Sequence, residues 1–212
     1  SFRRSITLGF MVMVTTVVVS IMGGLAFRKK FPGSTIVFYL IVTALVIPSI
    51  LISLGVGLMF SRSGMEVHWA TSGFGSQLTW TLPFGLLIMF AVFNRFDKSY
   101  EEAARDQGAT PWQTIRFVVL PIIAPSLIGV ALFGFTLSYD EFARTLLTSG
   151  SKNTLPLEIY GMTTNVTTPV LYALGTLTTV FSLITIGIFL SIALWTSKRR
   201  ANIGSDAGKG LL

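Results

Sequence analysis

The sequence contains no cysteine and only one histidine, His68, and these absences exclude several kinds of functional site. A chain without cysteine has no disulfide framework, no cysteine-ligated zinc and no thiol nucleophile. A single histidine also excludes a histidine-rich metal centre. Charge is scarce as well, because 12% of the 212 residues are charged, compared with roughly 25% in a soluble domain. A soluble globular enzyme, a disordered chain and a fibrous protein are therefore excluded.

Hydrophobic residues make up 51% of the chain, and they are gathered in uncharged runs long enough to cross a bilayer. A transmembrane helix needs about 20 apolar residues. Trimmed at turn residues, the runs predict five such helices, near residues 5–27, 35–60, 78–95, 117–137 and 172–196. The predicted fold is all-α, a polytopic transmembrane bundle that forms a single domain over residues 1–200. Residues 201–212 are small and polar, and we expect a flexible cytoplasmic tail there.

The sixteen Lys and Arg residues predict the orientation of the bundle. Eleven of them follow the first predicted helix, lie between the third and fourth, or follow the fifth, which places them on one face. The positive-inside rule assigns that face to the cytoplasm, so the C-terminus is predicted to be cytoplasmic. The net charge of +7 then reflects topology rather than affinity for nucleic acid. An odd number of helices leaves Ser1 outside, and we expect a further helix upstream, with a cleaved signal peptide as the alternative.

Two features lie inside the second predicted helix. Pro48 interrupts it, and Ser49, Ser53 and Gly57 form a stripe of small residues spaced four apart. Small residues let another helix approach closely in a membrane, and proline is tolerated where neighbouring helices or water satisfy the freed carbonyl groups. The two features fit either ordinary bundle packing or a gating hinge.

The segment between the third and fourth predicted helices has two helix-start signals and one helix-stop signal. Ser99 and Glu102 have the spacing of a capping box, and Gly108 can adopt the left-handed conformation that ends a helix. The run Thr110-Pro111-Trp112-Gln113 repeats the start signal, with Thr as the N-cap and Pro at the first helical position. The sequence therefore predicts two short helices separated by Gly108, a shaped cytoplasmic projection suited to docking a soluble partner.

The same segment resembles the EAA motif of ABC-importer permeases, EAA-x3-G-x9-I-x-L-P. Glu102-Ala103-Ala104, Gly108 and Val118-Val119-Leu120-Pro121 match it at the required spacing, with Val118 in place of Ile. In that family the loop forms coupling helices that seat in a cleft of the ATPase subunit. The resemblance implies a coupling loop over residues 96–116. Its ATPase-coupling residues would be Glu101, Glu102, Ala103, Ala104, Arg105, Asp106, Gly108 and Ala109.

A wider resemblance covers essentially the whole chain. The segments 135–142, 148–150, 155–160 and 173–174 resemble the second permease of spermidine/putrescine importers. This implies the type I ABC-importer permease fold, with the first of the family's six helices absent here. It also implies a bacterial inner-membrane location in contact with lipid, and three partners: an ABC ATPase dimer, a second and different permease chain, and a periplasmic binding protein. No catalytic residue, metal or cofactor is expected in this chain, because ATP and Mg²⁺ would be bound by the ATPase.

Five residues near the outer ends of the last two predicted helices are candidates for the substrate path. They combine carboxylates with aromatic rings, and they are Tyr139, Asp140, Glu141, Glu158 and Tyr160. Carboxylates and aromatic faces hold ammonium groups by charge and by cation–π contact, which suits a polyamine. The alternatives are that these acids lie on the outer surface, or that Asp140 caps a helix.

The leading hypothesis is a permease subunit of an ATP-driven importer for polyamine-like cations, working by alternating access and coupled to its ATPase through residues 102–108. Other solutes such as 4-aminobutyrate, thiamine or ferric iron are the alternatives within the same class. An ATP-independent channel or carrier would call for charged residues within the spans or paired broken helices, and a membrane-embedded enzyme would call for a cluster of catalytic residues at one depth. We find none of these in the sequence.

Overall fold

The structure is a computed structural model that describes residues 1–29, 31–165 and 169–209. These residues form helices joined by short turns, which confirms the expected all-α fold. In chain order, the helices of the described residues are α1 Phe2–Phe27, α2 Ser34–Val46, α3 Ser49–Arg62, α4 Phe74–Asn94, α5 Ser99–Asp106, α6 Pro111–Thr114, α7 Leu120–Tyr139, α8 Leu155–Asn165 and α9 Pro169–Lys209. Single π-helical turns, Trp69–Gly73 and Ile115–Val119, lead directly into α4 and α7.

Four continuous helical stretches of the described chain are long and apolar enough to cross a membrane. They are Phe2–Phe27, Trp69–Asn94, Pro111–Tyr139 and Pro169–Thr196. The pair formed by α2 and α3 is a fifth candidate span, which agrees with the predicted number of spans if the bent pair is counted as one. The last helix continues to Lys209, into the segment predicted to be a flexible tail. Residues 210–212 lie outside the described residues, so the flexibility of the tail stays a prediction.

The second span differs from its prediction. The sequence predicts one helix near residues 35–60, whereas the structure has two helices bent by 105° at the break between Val46 and Ser49. Pro48 explains the break, because proline has no N–H to continue the helix and disfavours helical backbone in the residue before it. That residue, Ile47, is accordingly extended, with φ −68° and ψ 126°.

Helix α1 lies at the centre of the bundle, packed against both α4 and α7. The approach of α4 is close because Gly85 has no side chain: a Cβ there would lie 2.2 Å from Ser20 Oγ and 2.8 Å from Thr16 Cγ2. One polar contact joins the same two helices, since the Thr16 hydroxyl donates to Thr81 Oγ1 at 3.1 Å. Small residues and interhelical hydrogen bonds are the usual means of joining helices in lipid, where apolar burial gives little driving force.

A loop, rather than another helix, occupies the small-residue stripe of α3. The loop (residues 141–154) joins α7 to α8, and the Leu147 N–H donates to Ser53 Oγ at 2.9 Å. A Cβ at Gly57 would lie 2.7 Å from the Leu147 carbonyl oxygen. The stripe therefore allows close packing, as its spacing predicts, but the backbone that it admits belongs to the connection between two spans.

We expect replacement of Gly85 by Leu to destabilise the bundle, because the new side chain enters the space held by Ser20 and Thr16. Overpacking of this kind costs about 1–3 kcal/mol. The measurement is the thermal unfolding midpoint of the purified protein in detergent. Gly75→Leu is the matched control, since it lies on the same helix and a Cβ there would meet no described atom within 4 Å. Equal midpoints for the two variants would contradict the packing described here.

Candidate functional site

Residues 96–116 form a projection at the junction of α4 and α7, called the knob below. Its first helix, α5, ends where the sequence predicts, because Gly108 has φ +83° and lies in the left-handed region. The N–H of Gly108 donates to the Arg105 carbonyl at 2.8 Å, and that of Ala109 donates to the Ala104 carbonyl at 3.0 Å. This paired pattern satisfies the last carbonyls of α5. The knob is thus two short helices set by one glycine, which confirms the prediction.

The second start signal of the knob is confirmed, and the first is wrong. At α6 the Gln113 N–H donates to Thr110 Oγ1 and the Thr110 N–H donates to Gln113 Oε1, which completes a capping box. At α5, however, Ser99 is the first helical residue, and its N–H donates to the Asp97 carboxylate at 2.9 Å. Asp97 thus accepts the N–H that the Glu102 carboxylate would accept in the predicted capping box, and the Glu102 N–H donates to the Lys98 carbonyl instead. The pKa of Asp97 is lowered by the Ser99 N–H and then by the Ser99 hydroxyl.

Glu101 faces the bundle rather than solvent. Its Oε1 lies 2.5 Å from Nη1 of Arg28 at the end of α1, and the two side chains are 11% and 16% exposed. The rings of Phe93 and Phe96 each lie 5.3 Å from the Arg28 guanidinium carbon. The second oxygen of Glu101 lies 3.7 Å from Arg105 on the same helix. The knob is therefore tied to α1 by a half-buried ion pair that local sequence patterns do not reveal.

The rest of the predicted coupling set is more exposed than Glu101. Glu102, Ala103, Arg105, Asp106 and Gly108 are exposed, and Ala104 and Ala109 are half-buried. Three large aromatic side chains in or next to the knob are also exposed, with Tyr100 55%, Trp112 65% and Phe117 66% exposed. This surface combines charge of both signs with aromatic area, a composition suited to a protein partner.

Two cavities lie at the end of the bundle that bears the knob. One, of about 620 Å³, is bordered by the rings of Phe27, Phe38, Phe90, Phe93 and Phe96. The other, of about 370 Å³, lies between α1 and the knob, and its lining includes both Arg28 and Glu101. The ion pair therefore lies at the border of a space that side chains do not fill.

The substrate-path candidates are not brought together in one pocket. Tyr139 is buried, with its ring 5.9 Å from that of Phe135 and 5.0 Å from that of Phe181. Asp140 is exposed at the end of α7, where it forms the C-cap. Glu141 is buried, and its Oε1 accepts the N–H of Arg144 at 2.9 Å.

The other two candidates belong to α8. Glu158 is half-buried in its first turn, and Tyr160 is 49% exposed, with its ring 4.7 Å from that of Phe142. Neither of the two cavities described above is lined by any of the five candidates. Their role in the substrate path stays a prediction.

Arg144 is a buried arginine that our sequence interpretation missed. It is 2% exposed, and its guanidinium donates to Ser49 Oγ at 2.5 Å and to Thr79 Oγ1 at 3.2 Å. The guanidinium carbon lies 4.7 Å from the Trp80 ring, and the Glu141 carboxylate lies 4.0 Å from Nη1. Arg144 thus ties α3, α4 and the 141–154 loop together. The available signal was its spacing three residues after Glu141.

A family model described as binding-protein-dependent transport system inner membrane component matches residues 7–198. The chain belongs to this family. It is therefore an inner-membrane permease of an ABC importer, a transport subunit rather than an enzyme. The motif resemblance identified from the knob is confirmed, since the match spans the knob together with the helices on either side of it.

Curated relatives of the permease include transporters of different solutes. It is 27% identical over 204 residues to the spermidine/putrescine transport system permease protein PotC of Escherichia coli (strain K12), covering 95% of this chain and 76% of PotC. It is 30% identical over 154 residues to the putrescine transport system permease protein PotI of that strain, covering 70% of this chain and 55% of PotI. The sulfate transport system permease protein CysT of the same strain is 29% identical over 136 residues, covering 58% of this chain and 49% of CysT.

Solved structures support the fold of the permease. The inward-facing MetNI methionine ABC transporter matches with a TM-score of 0.73 at 18% identity, covering 91% of this chain and 93% of that one. A bacterial alginate ABC transporter matches with a TM-score of 0.68 at 16% identity, covering 94% of this chain and 77% of that one. At such identities the likeness concerns the fold alone, and it confirms the type I ABC-importer permease fold.

We expect Arg144→Met to destabilise the permease, because the change leaves the buried Glu141 carboxylate without its cationic neighbour and removes the hydrogen bonds to Ser49 and Thr79. Breaking a buried ion pair costs about 3–5 kcal/mol. The measurement is thermal unfolding in detergent. Lys152→Met is the control, since it removes an exposed charge from the same loop. If the two variants unfold at the same temperature, Arg144 does not hold the loop.

Thr110→Ala is expected to loosen α6, because it removes the side-chain oxygen that accepts the Gln113 N–H. Loss of an N-cap costs about 1 kcal/mol, which corresponds to about fivefold faster local opening. Hydrogen–deuterium exchange of the segment 110–116 measures it. Thr163→Ala is the control, since the exposed Thr163 hydroxyl donates to the Tyr160 carbonyl within α8 instead of capping a helix start. Exchange of residues 110–116 that is no faster in Thr110→Ala than in the natural permease would contradict the capping role of Thr110.

Proposed function

We propose that this permease imports a polyamine-like organic cation and is driven by a separate ABC ATPase that docks on the knob. The observation that carries the proposal is the knob itself. The EAA-type residues lie on a helix capped by Asp97 at its start and by Gly108 at its end, and Glu102, Ala103 and Asp106 are exposed. A rigid exposed projection on a membrane bundle is what transmission of force from a soluble subunit requires.

The proposed mechanism is alternating access. ATP binding closes an ABC ATPase dimer, and the closure moves the knobs of two permease subunits. In this chain α6 and the π-helical turn run without a break into α7, so that displacement of the knob tilts a membrane-spanning helix directly. A periplasmic binding protein delivers the substrate at the opposite end of the bundle. ATP and Mg²⁺ belong to the ATPase, and this chain supplies no catalytic group.

The distribution of charge and apolar surface supports the proposed orientation and partners. Arg28, Lys29 and Lys98 lie at the end of the bundle that bears the knob, which supports a cytoplasmic location for that end, and we propose the same side for the C-terminus. Helix α2 has no buried residue, and α9 is mostly exposed. Lipid and a second permease, a different chain as in polyamine importers, would cover these faces. Nucleic acid is not a partner.

Two kinds of observation support a cationic substrate. The relatives named for spermidine and putrescine match over more of this chain than the sulfate permease does. Asp140 and Glu158 lie at the end of the bundle opposite the knob together with the exposed ring of Tyr160. Acidic and aromatic side chains attract ammonium groups and repel a sulfate anion. Other small solutes, namely 4-aminobutyrate, thiamine or ferric iron, are the alternatives.

The direct test is uptake by the assembled transporter. The tagged permease is purified from its native host with the subunits that accompany it and reconstituted into liposomes containing ATP. We expect co-purification of an ABC ATPase and ATP-dependent uptake of radiolabelled spermidine or putrescine in the presence of the binding protein. Uptake of sulfate but not of polyamines would overturn the substrate class. Transport by the permease alone would overturn the ATPase coupling.

We expect Glu102→Lys to uncouple transport without affecting membrane insertion, because the change reverses an exposed charge at the centre of the proposed docking surface. Coupling energies of 1–3 kcal/mol predict a loss of uptake of about tenfold. The measurement is polyamine uptake normalised to the amount of inserted permease. Glu66→Lys is the matched control, since it makes the same charge change on an exposed residue at the opposite end of the bundle. Unchanged uptake in Glu102→Lys would remove this residue from the coupling surface.

A further inference from the structure

The two adjacent glutamates of the knob differ in burial, although both border the cavity of about 370 Å³ between α1 and the knob. Glu102 is exposed, whereas Glu101 is buried and faces the inner end of α1. Successive residues of a helix are rotated by about 100°, so one carboxylate can serve the outer surface while its neighbour serves the bundle. The EAA-type motif begins at Glu102, and Glu101 enters the predicted coupling set only as the residue beside it.

The ion pair of Glu101 is built to hold two helix ends together. Arg28 is the C-cap of α1, and Glu101 lies in the first turn of α5, so each charge is also favoured by the dipole of its own helix. The rings of Phe93 and Phe96 flank the guanidinium and fix its position. Because both side chains are less than one fifth exposed, water and salt weaken the pair less than they weaken a surface ion pair.

The pair also connects parts that are otherwise loosely packed against each other. Helix α5 packs against α6 and the π-helical turn that follows it, within the knob. Between the knob and α1 lies the cavity of about 370 Å³, at whose border Arg28 and Glu101 meet. Helix α1 in turn packs against α4 and α7 along its length. A displacement of α5 therefore reaches the central helix directly through these two side chains, in addition to the longer route through α6 and α7.

We propose that the Arg28–Glu101 ion pair is the joint that transmits movement of the docked knob to α1, and that Glu101 is a positioning residue for coupling rather than a contact of the ATPase. The proposal rests on the proposed function, because it assumes that an ATPase moves the knob. It assigns separate tasks to neighbouring carboxylates: Glu102 docks the partner, and Glu101 passes the motion inward.

The test compares four forms of the complete complex reconstituted in liposomes: the natural permease, Glu101→Gln, Arg28→Gln and the double Gln variant. The readouts are the amount of co-purified ATPase, the basal rate of ATP hydrolysis and the number of spermidine molecules taken up per ATP hydrolysed. We expect each variant to retain the ATPase and its basal rate, while uptake per ATP falls about tenfold, within the usual range of coupling energies. Glu102→Gln is the matched control, and it should weaken ATPase co-purification instead.

The double variant removes both charges of the pair, so it leaves no unpaired partner that could disturb folding as a single change could. If the two residues act as one joint, the double variant loses no more coupling than either single variant. Losses that multiply in the double variant, normal uptake per ATP in it, or loss of bound ATPase in Glu101→Gln would each overturn the joint. Absence of ATPase and of polyamine uptake in the natural permease would instead overturn the proposed function.

Discussion

The close approach of α1 to α4 and α7 is the constraint on which the rest of the structure depends. In lipid there is little hydrophobic drive for helices to associate, so contact depends on backbones that come close enough for dispersion and hydrogen bonding. Gly85 provides this on α4, and Gly134 provides it on α7, where a Cβ would lie 3.2 Å from the Cα of Met13. With α1 held between them, α4 and α7 bring the knob that joins them to the inner end of α1.

A buried or half-buried arginine secures each end of this three-helix core in a similar way. Near the knob, Arg28 pairs with Glu101 between two phenylalanine rings. At the other end, Arg144 lies beside Glu141 and over the ring of Trp80. In both cases the carboxylate offsets part of the cost of removing the guanidinium from water, and an aromatic face adds cation–π attraction. Two of the few charged pairs in the chain therefore hold the knob and the 141–154 loop against the helices.

Short sequence signals predicted the turns and helix ends well. Features that depend on contacts between distant residues could not be predicted from them. Gly108 and the Thr110–Gln113 capping box act within a few residues, so their spacing in the sequence was sufficient to predict the end of α5 and the start of α6. Ser99 was misassigned as an N-cap because its N–H donates to Asp97, two residues earlier, rather than to Glu102. Pro48 was visible as an interruption, but local spacing does not give the size of the bend, which is 105°. The inward direction of Glu101 depends on Arg28, 73 residues away, and no local pattern encodes it.

The central claim is that the knob is the surface on which an ABC ATPase docks. The natural chain has no cysteine, so Ala103→Cys and Lys152→Cys each introduce a single thiol into the permease, one at an exposed small residue of the knob and one in the 141–154 loop. The decisive measurement is the rate of maleimide labelling of each thiol with and without the bound ATPase. We predict that the ATPase protects residue 103 and leaves residue 152 unchanged. Equal labelling of residue 103 in the free and the assembled permease would contradict the account.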